Sequence, residues 1–234
     1  MAVASGTPGP PILAAPLRVI RRLSGSLVSV LDDLGAQLSF YARSIAWTPR
    51  VFVRYKKEVV RLLAEVSLGS GALALVGGTI GVIAFLTFFT GTEVGLQGYA
   101  ALNQLGTSNF TAFISAYFNT REIAPLVAGL ALSATVGCGF TAQLGAMRIS
   151  EEVDALEVMG VPSVPFLVTT RMIAGFVAVI PLYVVGLLSS YFAARLITTG
   201  FYGQSTGTYD QYFHQYLPPI DVLYSFVKVL IFAV

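Results

Sequence analysis

The sequence predicts an all-α polytopic integral membrane protein, and three observations carry that prediction. Only 11% of the residues are charged, 55% are hydrophobic, and the mean hydropathy is +0.76. Soluble domains carry roughly 25% charged residues, because a small domain exposes a large surface to water. Three uncharged runs are each long enough to cross a bilayer as a helix of about 20 residues. Nine of the 14 lysines and arginines precede residue 62, ahead of the first of those runs.

The N-terminal quarter is predicted to lie on a membrane surface. Residues 1–16 contain several prolines and no charged residue, which indicates a disordered tail. Residues 17–61 alternate apolar residues with arginines, and Tyr41, Trp47 and Tyr55 stand among basic residues. Amphipathic rings and cations both favour the lipid headgroup region. We therefore expect one or two interfacial helices on the cytoplasmic face, with helices of a soluble domain as the alternative.

Residues 62–234 are predicted to form a transmembrane domain. Its spans are expected near residues 66–90, 123–147 and 172–194, with a last apolar run at 222–234 that the sequence ends inside. We expect that last span to be truncated here. Residues 91–109 and 195–219 are predicted to be polar connections. Arg121 and Glu122 are expected at the outer membrane surface, and Lys228 is expected to snorkel outward.

The distribution of basic residues predicts the orientation. The connection at 91–109 has no lysine or arginine, and the one at 195–219 has only Arg195. The N-terminal region has nine, and residues 148–171 contain Arg148 and Arg171. Because cytoplasmic loops carry an excess of lysine and arginine, the N-terminus and residues 148–171 are expected in the cytoplasm.

The second predicted span carries small residues at intervals of four, which share one face of a helix. They are Gly129, Ser133, Gly137, Thr141 and Gly145. In lipid, small residues at this spacing allow close contact between helices. The pattern indicates either packing within one subunit or a face that lines a subunit interface or a substrate cavity.

A short acidic helix is predicted at residues 150–160, between the second and third spans. Ser150 is expected to cap it, with carboxylates in its first turn where the positive end of the helix favours them. Gly160 and Pro162 are expected to end it. An acidic amphipathic helix on the cytoplasmic side fits a docking element for a soluble partner, and a solvated connector is the alternative.

Several chemistries are not favoured by these residues. A single cysteine, Cys138, and a single histidine, His214, do not supply a zinc or multi-histidine metal site. No Ser–His–Asp set, HExxH motif or paired buried carboxylates stand out, so no catalytic residue is predicted. The predicted span cores contain no acid, which argues against a proton-coupled transporter.

The run from Arg121 to Val161, which includes GAMRISEEVDALEVMG, resembles the MlaE/YrbE permease family, in particular the YrbE-type permeases of actinobacterial Mce systems. The likeness extends from roughly Lys57 to Val234. It implies an inner-membrane, multi-pass permease with an N-terminal interfacial helix and five spans, the fifth missing here. Residues in a coupling helix received by an ATPase would be Glu151, Glu152, Asp154, Ala155, Leu156 and Glu157.

The resemblance also implies partners. They are a cytoplasmic ATPase, a second permease subunit (either a paralogue or an identical copy) and extracytoplasmic MCE-domain proteins that carry lipid, with no nucleic acid. This chain would bind no cofactor, whereas the ATPase would bind ATP and Mg. Two departures from the family pattern favour a heterodimer of non-equivalent permeases: Ser133–Ala134–Thr135 where many members have a basic residue, and Gln143 where Glu is frequent.

The resulting hypothesis is the permease subunit of an ATP-driven Mce lipid transporter, which moves lipids or fatty acids across the inner membrane. A secondary transporter or channel that needs no ATPase is the alternative, and a membrane-bound enzyme is the least favoured reading.

Overall fold

The computed structural model describes residues 14–68 and 78–233, with only the backbone described for 14–30. These residues form helices and connecting turns, without a strand among them. Residues 69–77, which are nine of the 25 residues of the first predicted span, and most of the predicted tail lie outside the described residues. The helices are α1 Ala14–Arg54, α2 Lys56–Leu68, α3 Thr79–Gln104, α4 Ser108–Ile149, α5 Glu152–Val158, α6 Val164–Phe201, α7 Thr206–Tyr216 and α8 Pro219–Phe232.

The chain divides into two compact units, one up to Trp47 and one from Thr48 onward. In the first unit, one face of α1 presents exposed apolar side chains at helical spacing: Leu31, Leu34, Leu38, Tyr41 and Ile45. An apolar stripe on an otherwise polar helix is typical of a helix that lies in the membrane interface.

In the second unit, α3, α4 and α6 are long and apolar enough to cross a membrane. Glycines let α3 and α6 approach closely. A Cβ at Gly186 of α6 would lie 2.9 Å from Ile83 Cγ2, and a Cβ at Gly91 of α3 would overlap the Ser190 carbonyl group. Small residues at such crossings allow van der Waals packing without a hydrophobic driving force, which is how helices associate in lipid.

Helices α4 and α6 contain π-helical segments with wider turns than an α-helix. In α4 these are Ile114–Ile123 and Ser133–Gly137, and in α6 they are Val164–Thr169 and Leu196–Phe201. A π segment rotates the residues after it relative to those before it, and such segments are frequent at functional sites.

The structure differs from the sequence-based boundaries at 91–109. Helix α3 continues through this predicted polar connection to Gln104, and only a short turn at Gly106, with φ of 69°, separates it from α4. The helix persists because its glycines in this region pack against α6: a Cβ at Gly95 would lie 3.1 Å from the Ala194 carbonyl oxygen. Glu93, which was expected in a polar connection, therefore lies within a helix that is long and apolar enough to span a membrane.

An aromatic layer joins α7 to the start of α4. The Phe110 and Tyr212 ring centroids are 5.2 Å apart, and those of Phe113 and Tyr216 are 5.0 Å apart. Aromatic rings of this kind are enriched where a membrane protein meets the water interface. Helix α8 then packs back against α4 and α6 through Val229, which is fully buried.

Candidate functional site

The acidic segment between α4 and α6 forms a short helix, α5, at Glu152–Val158. Gly160, with φ of 74°, ends it: the Gly160 N–H donates to Glu157 O at 3.0 Å and the Val161 N–H to Leu156 O at 3.0 Å. This is the pattern by which glycine closes the last turn of a helix.

Ser150 does not cap α5, contrary to the sequence-based expectation. Its backbone N–H donates to Ala146 O at 2.9 Å and its hydroxyl lies 3.0 Å from the same oxygen, so Ser150 completes the last turn of α4. Glu151 takes the cap position instead, in the left-handed conformation with φ of 59° and without a side-chain capping bond. A capping residue normally has an extended backbone. The chain reverses so tightly between α4 and α5 that no such residue precedes α5.

Most of the predicted coupling residues are exposed to solvent, and their carboxylates make this surface acidic. Those exposed are Glu151, Glu152, Asp154, Ala155 and Glu157, and Leu156 is half-buried. Asp154 pairs with Arg148 at 2.6 Å, and Glu157 accepts a hydrogen bond from Ser163 at 2.6 Å. These local bonds orient two of the carboxylates on the surface.

Large apolar side chains stand exposed beside those acids. Ile149 is 86% exposed, Val158 88% and Met159 68%. Isolated exposed hydrophobic residues are ordinary, but a group of them ringed by charge marks an interaction surface. We call the residues 149–159 the α5 surface.

The predicted small-residue stripe divides at the π segment of α4. Gly129 lies before it and packs inside the chain, where an added Cβ would meet Phe232 Cβ at 2.8 Å. Ser133, Gly137, Thr141 and Gly145 are exposed, and a Cβ on Gly137 or Gly145 meets nothing within 4 Å. The wide turn of Ser133–Gly137 rotates these four away from the face of Gly129.

The other side of the same half of α4 is anchored within the chain. Gln143 donates to Glu65 of α2 at 2.9 Å, and Phe140 lies 3.3 Å from a Cβ built on Gly175 of α6. Arg171 of α6 is buried and donates to Leu167 O at 3.0 Å. Gln143, at which the sequence departs from the family pattern, therefore has a structural partner in α2.

A polar network that sequence reasoning missed occupies the first π segment of α4. Asn119 bonds Ser190 of α6 at 2.8 Å, and Thr120 Oγ1 lies 2.6 Å from Tyr191 of the same helix. Buried polar groups in a membrane bundle must find partners in neighbouring helices. The signal in the sequence was the polar run Asn119–Glu122 within an apolar stretch, whose partners lie about 70 residues away.

Lys228, which was expected to snorkel outward, reaches the partly exposed Glu122 of α4. Its Nζ lies 2.6 Å from Glu122 Oε1 and donates to Arg121 O at 2.7 Å. Arg121 in turn lies 3.6 Å from the carboxylate of Asp221, which is 7% exposed, and donates to the Tyr117 hydroxyl at 2.8 Å. Pairing between α4 and α8 offsets the cost of placing these charges in or near lipid.

Asp210 of α7, which lies outside the candidate spans, forms a further charged contact with Arg195 near the end of α6. Arg195 Nε and Nη2 each donate to a carboxylate oxygen of Asp210 at 2.8 Å. These hydrogen bonds hold the pKa of Asp210 below its usual range. Burial raises the pKa of the neighbouring Tyr209 to about 12, so its phenol stays protonated at neutral pH.

Glu93 borders a small cavity between α3 and α4. The cavity measures about 230 Å³. A larger, apolar groove of about 660 Å³ lies between α3 and α6 and is lined by Phe85, Phe88 and Ser189 among others. Within the described residues, no group of three or more His, Cys, Asp and Glu side chains is placed to hold a metal ion.

Long apolar helices with paired charges among them, and an exposed helix between two of them, are the features of an integral membrane protein. The chain belongs to the MlaE permease family, whose model, Permease MlaE, matches residues 69–234. It is thus a multi-pass inner-membrane permease, a transport subunit and not an enzyme.

Relatives extend the comparison. The chain is 28% identical over 208 residues to a "Probable ABC transporter permease protein" of Rickettsia bellii, covering 88% of this chain and 80% of that protein. It is 25% identical over 154 residues to the "Intermembrane phospholipid transport system permease protein MlaE" of Haemophilus influenzae, covering 65% and 59%. It is 27% identical over 159 residues to the chloroplastic protein TRIGALACTOSYLDIACYLGLYCEROL 1 of Arabidopsis thaliana, covering 66% and 44%.

Proposed function

We propose that this chain is the translocation subunit of an ATP-driven lipid transporter of the Mce type. The observation that carries the proposal is the α5 surface: a short acidic helix with exposed Val158 and Met159, held between α4 and α6. Such a surface suits contact with a soluble partner. Because α5 is connected to both α4 and α6, a motion of that partner would be transmitted to both helices. The relatives, several of which are named as ABC transporter permeases, support an ATPase as that partner.

In this proposal ATP and Mg belong to the ATPase, and this chain binds no cofactor. The α5 surface and the N-terminus face the cytoplasm, in agreement with the excess of basic residues before residue 62. ATP binding brings two ATPases together, and α5 transmits that motion to α4 and α6. Because ATP must favour one of two permease states, the ATPase has to bind those states with different affinity.

The second permease subunit packs on the exposed part of the stripe, Ser133, Gly137, Thr141 and Gly145. These residues leave room for a close helix, since nothing in the described chain lies within 4 Å of a Cβ built on Gly137 or Gly145. We infer that the partner is a paralogue, because this chain carries Ser133–Ala134–Thr135 and Gln143 where related permeases often carry charge. Extracytoplasmic MCE-domain proteins would deliver or accept the lipid on the opposite side.

The substrate is a lipid or fatty acid. The name of the Haemophilus influenzae relative refers to phospholipid transport, and the apolar groove between α3 and α6 offers a surface for acyl chains.

The test is to purify the protein from its native host in mild detergent, identify the co-purifying chains by mass spectrometry, and reconstitute the complex in proteoliposomes. We expect a stoichiometric ATPase, a second permease and MCE-domain proteins, with transfer of labelled lipid that requires ATP hydrolysis. A permease that purifies alone and moves lipid without ATP contradicts the proposal.

One observation favours a second candidate, a secondary transporter. Glu93 places a carboxylate inside a candidate span, and ionisable groups at such positions mark ion or proton pathways in many transporters. Lipid transfer that follows an imposed pH gradient in ATP-free proteoliposomes would identify this candidate.

A further inference from the structure

Glu93 is an acid in the candidate span α3, and none of the described lysines and arginines pairs with it. It lies 14 residues after the start of α3 and 11 before its end, with its side chain exposed. The three candidate spans contain two carboxylates among their residues. Glu122 pairs with Lys228 at 2.6 Å, whereas the described residues give Glu93 no lysine or arginine within 4 Å. A carboxylate at membrane depth costs roughly several kcal/mol unless it is paired or solvated.

The side chain borders the cavity of about 230 Å³ between α3 and the first π segment of α4. Its polar lining comes from Thr90, Glu93 and Gln97, and Val94, Ile114 and Ile123 supply apolar lining. Ligand pockets for whole drug-sized molecules measure roughly 300–1,000 Å³. The cavity therefore suits one end of an amphiphile, with the chains passing along its apolar side.

The polar lining is rich in hydrogen-bond acceptors. The Thr90 hydroxyl donates to Leu86 O at 2.8 Å, which uses its hydrogen, and the Gln97 amide donates to Glu93 Oε1. The second oxygen of Glu93 makes no hydrogen bond among the described residues. An ionised carboxylate accepts and does not donate, so a ligand group that binds this oxygen of Glu93 must bring the hydrogens.

We propose that Glu93 determines headgroup specificity by accepting hydrogen bonds from a primary ammonium group of the transported lipid. This inference rests on the proposed function and adds the substrate class to it. An ammonium supplies both the positive charge that the site lacks and N–H donors, and charge-assisted hydrogen bonds are about twice as strong as neutral ones. A trimethylammonium headgroup has the charge without N–H donors and is bound less well.

The experiment is native mass spectrometry of the purified complex after incubation with equal amounts of phosphatidylethanolamine and phosphatidylcholine that carry identical acyl chains. We expect the wild-type complex to retain phosphatidylethanolamine on the order of tenfold more than phosphatidylcholine, as a charge-assisted hydrogen bond predicts. Glu93→Gln, which keeps the shape and removes the charge, should bring the ratio close to one.

Two further variants isolate the effect. Glu58→Gln removes an α2 carboxylate that lies outside the cavity and should leave the ratio at its wild-type value. Glu93→Val removes the polar group altogether and should also abolish the preference. This variant shows that the result does not depend on the hydrogen-bonding groups of the introduced glutamine. A wild-type ratio near one, or a preference that survives both Glu93 variants, overturns the inference.

The same samples separate this inference from the proposed function. A complex that binds both lipids equally and moves them with ATP keeps the proposed function and loses the role of Glu93. A complex that moves labelled fatty acid with ATP but retains neither phospholipid also keeps the proposed function and overturns this inference. A complex that moves no labelled lipid or fatty acid with ATP overturns both.

Discussion

Asn119 of α4 and Ser190 of α6 are joined by hydrogen bonds in the interior of the helix bundle. Asn119 Nδ2 donates to Ser190 Oγ at 2.8 Å, and the same hydroxyl lies 3.1 Å from Asn119 Oδ1. Both side chains are fully buried. The neighbouring pair of Thr120 and Tyr191 lies one residue further along each helix. Together the two pairs set the register between α4 and α6.

The Asn119–Ser190 contact should show a measurable coupling energy. We expect Asn119→Ala and Ser190→Ala each to lower the free energy of unfolding, because each leaves a buried polar partner unpaired. The double variant should lose less than the sum, by about 0.6 kcal/mol and at most about 1.7 kcal/mol, which are the average and the maximum found for hydrogen bonds between membrane helices. The measurement is reversible unfolding of the four proteins in bicelles. Strict additivity would mean that the two side chains do not interact.

Gly91 is predicted to be essential for the contact between α3 and α6. A Cβ there would overlap the carbonyl group of Ser190, so the helices must separate to accept alanine. We expect Gly91→Ala to lower the free energy of unfolding by roughly 1–3 kcal/mol, the usual cost of overpacking. Gly145→Ala is the matched control, since its Cβ meets nothing within 4 Å. Equal stability of the two variants would show that α3 and α6 pack less closely than described.

Gly137 is predicted to matter for assembly and not for the fold of this chain. A leucine there has free space within the described chain but would hold a partner helix away. We expect Gly137→Leu to insert and unfold like the wild type while the yield of the two-permease complex on a native gel falls severalfold. Gly139→Leu, also at a position with nothing within 4 Å, is the control. A normal complex yield for Gly137→Leu would exclude this face as the interface.

The α5 surface is predicted to couple ATP hydrolysis to transport. We expect Glu151→Lys with Asp154→Lys to abolish ATP-driven lipid transfer, because both carboxylates are exposed and their reversal repels a basic partner surface. The fold should survive, since the Arg148–Asp154 pair that is lost is more than half exposed and such pairs contribute about 0–1 kcal/mol. The assay compares lipid transfer and co-purified ATPase with those of Asp32→Lys and Asp33→Lys combined. Unchanged lipid transfer in the α5 variant would contradict a role of α5 in coupling ATP hydrolysis to transport.

Much of the fold was predictable because it depends on properties local to the sequence. Long uncharged runs indicate membrane helices regardless of their neighbours. In the hydrocarbon core, backbone N–H and C=O groups must hydrogen-bond within the segment itself, as they do in a helix. Gly160 ends α5 for an equally local reason, its positive φ. The acidic character of residues 151–157 was likewise visible without any neighbour. The family resemblance rested on the same short run.

Other features depended on contacts with residues that are distant in the sequence, and a local sequence pattern does not reveal such contacts. Composition alone indicated a loop at 91–109, but packing of Gly91 and Gly95 against α6 extends α3 to Gln104 and carries Glu93 into the span. Regular spacing of four put Gly129 on one face with Gly137, but a π turn between them buries the first and exposes the second.

The sequence by itself determined that this protein is a helical membrane permease and which exposed segment between two long helices carries the acids. Only the tertiary structure decided how the charges pair, with Lys228 on Glu122 and Arg121 beside Asp221, and that Glu93 has no such partner among the described residues. The reason is physical: hydropathy sums over a single segment, whereas an ion pair or a cavity exists only once two distant segments are side by side.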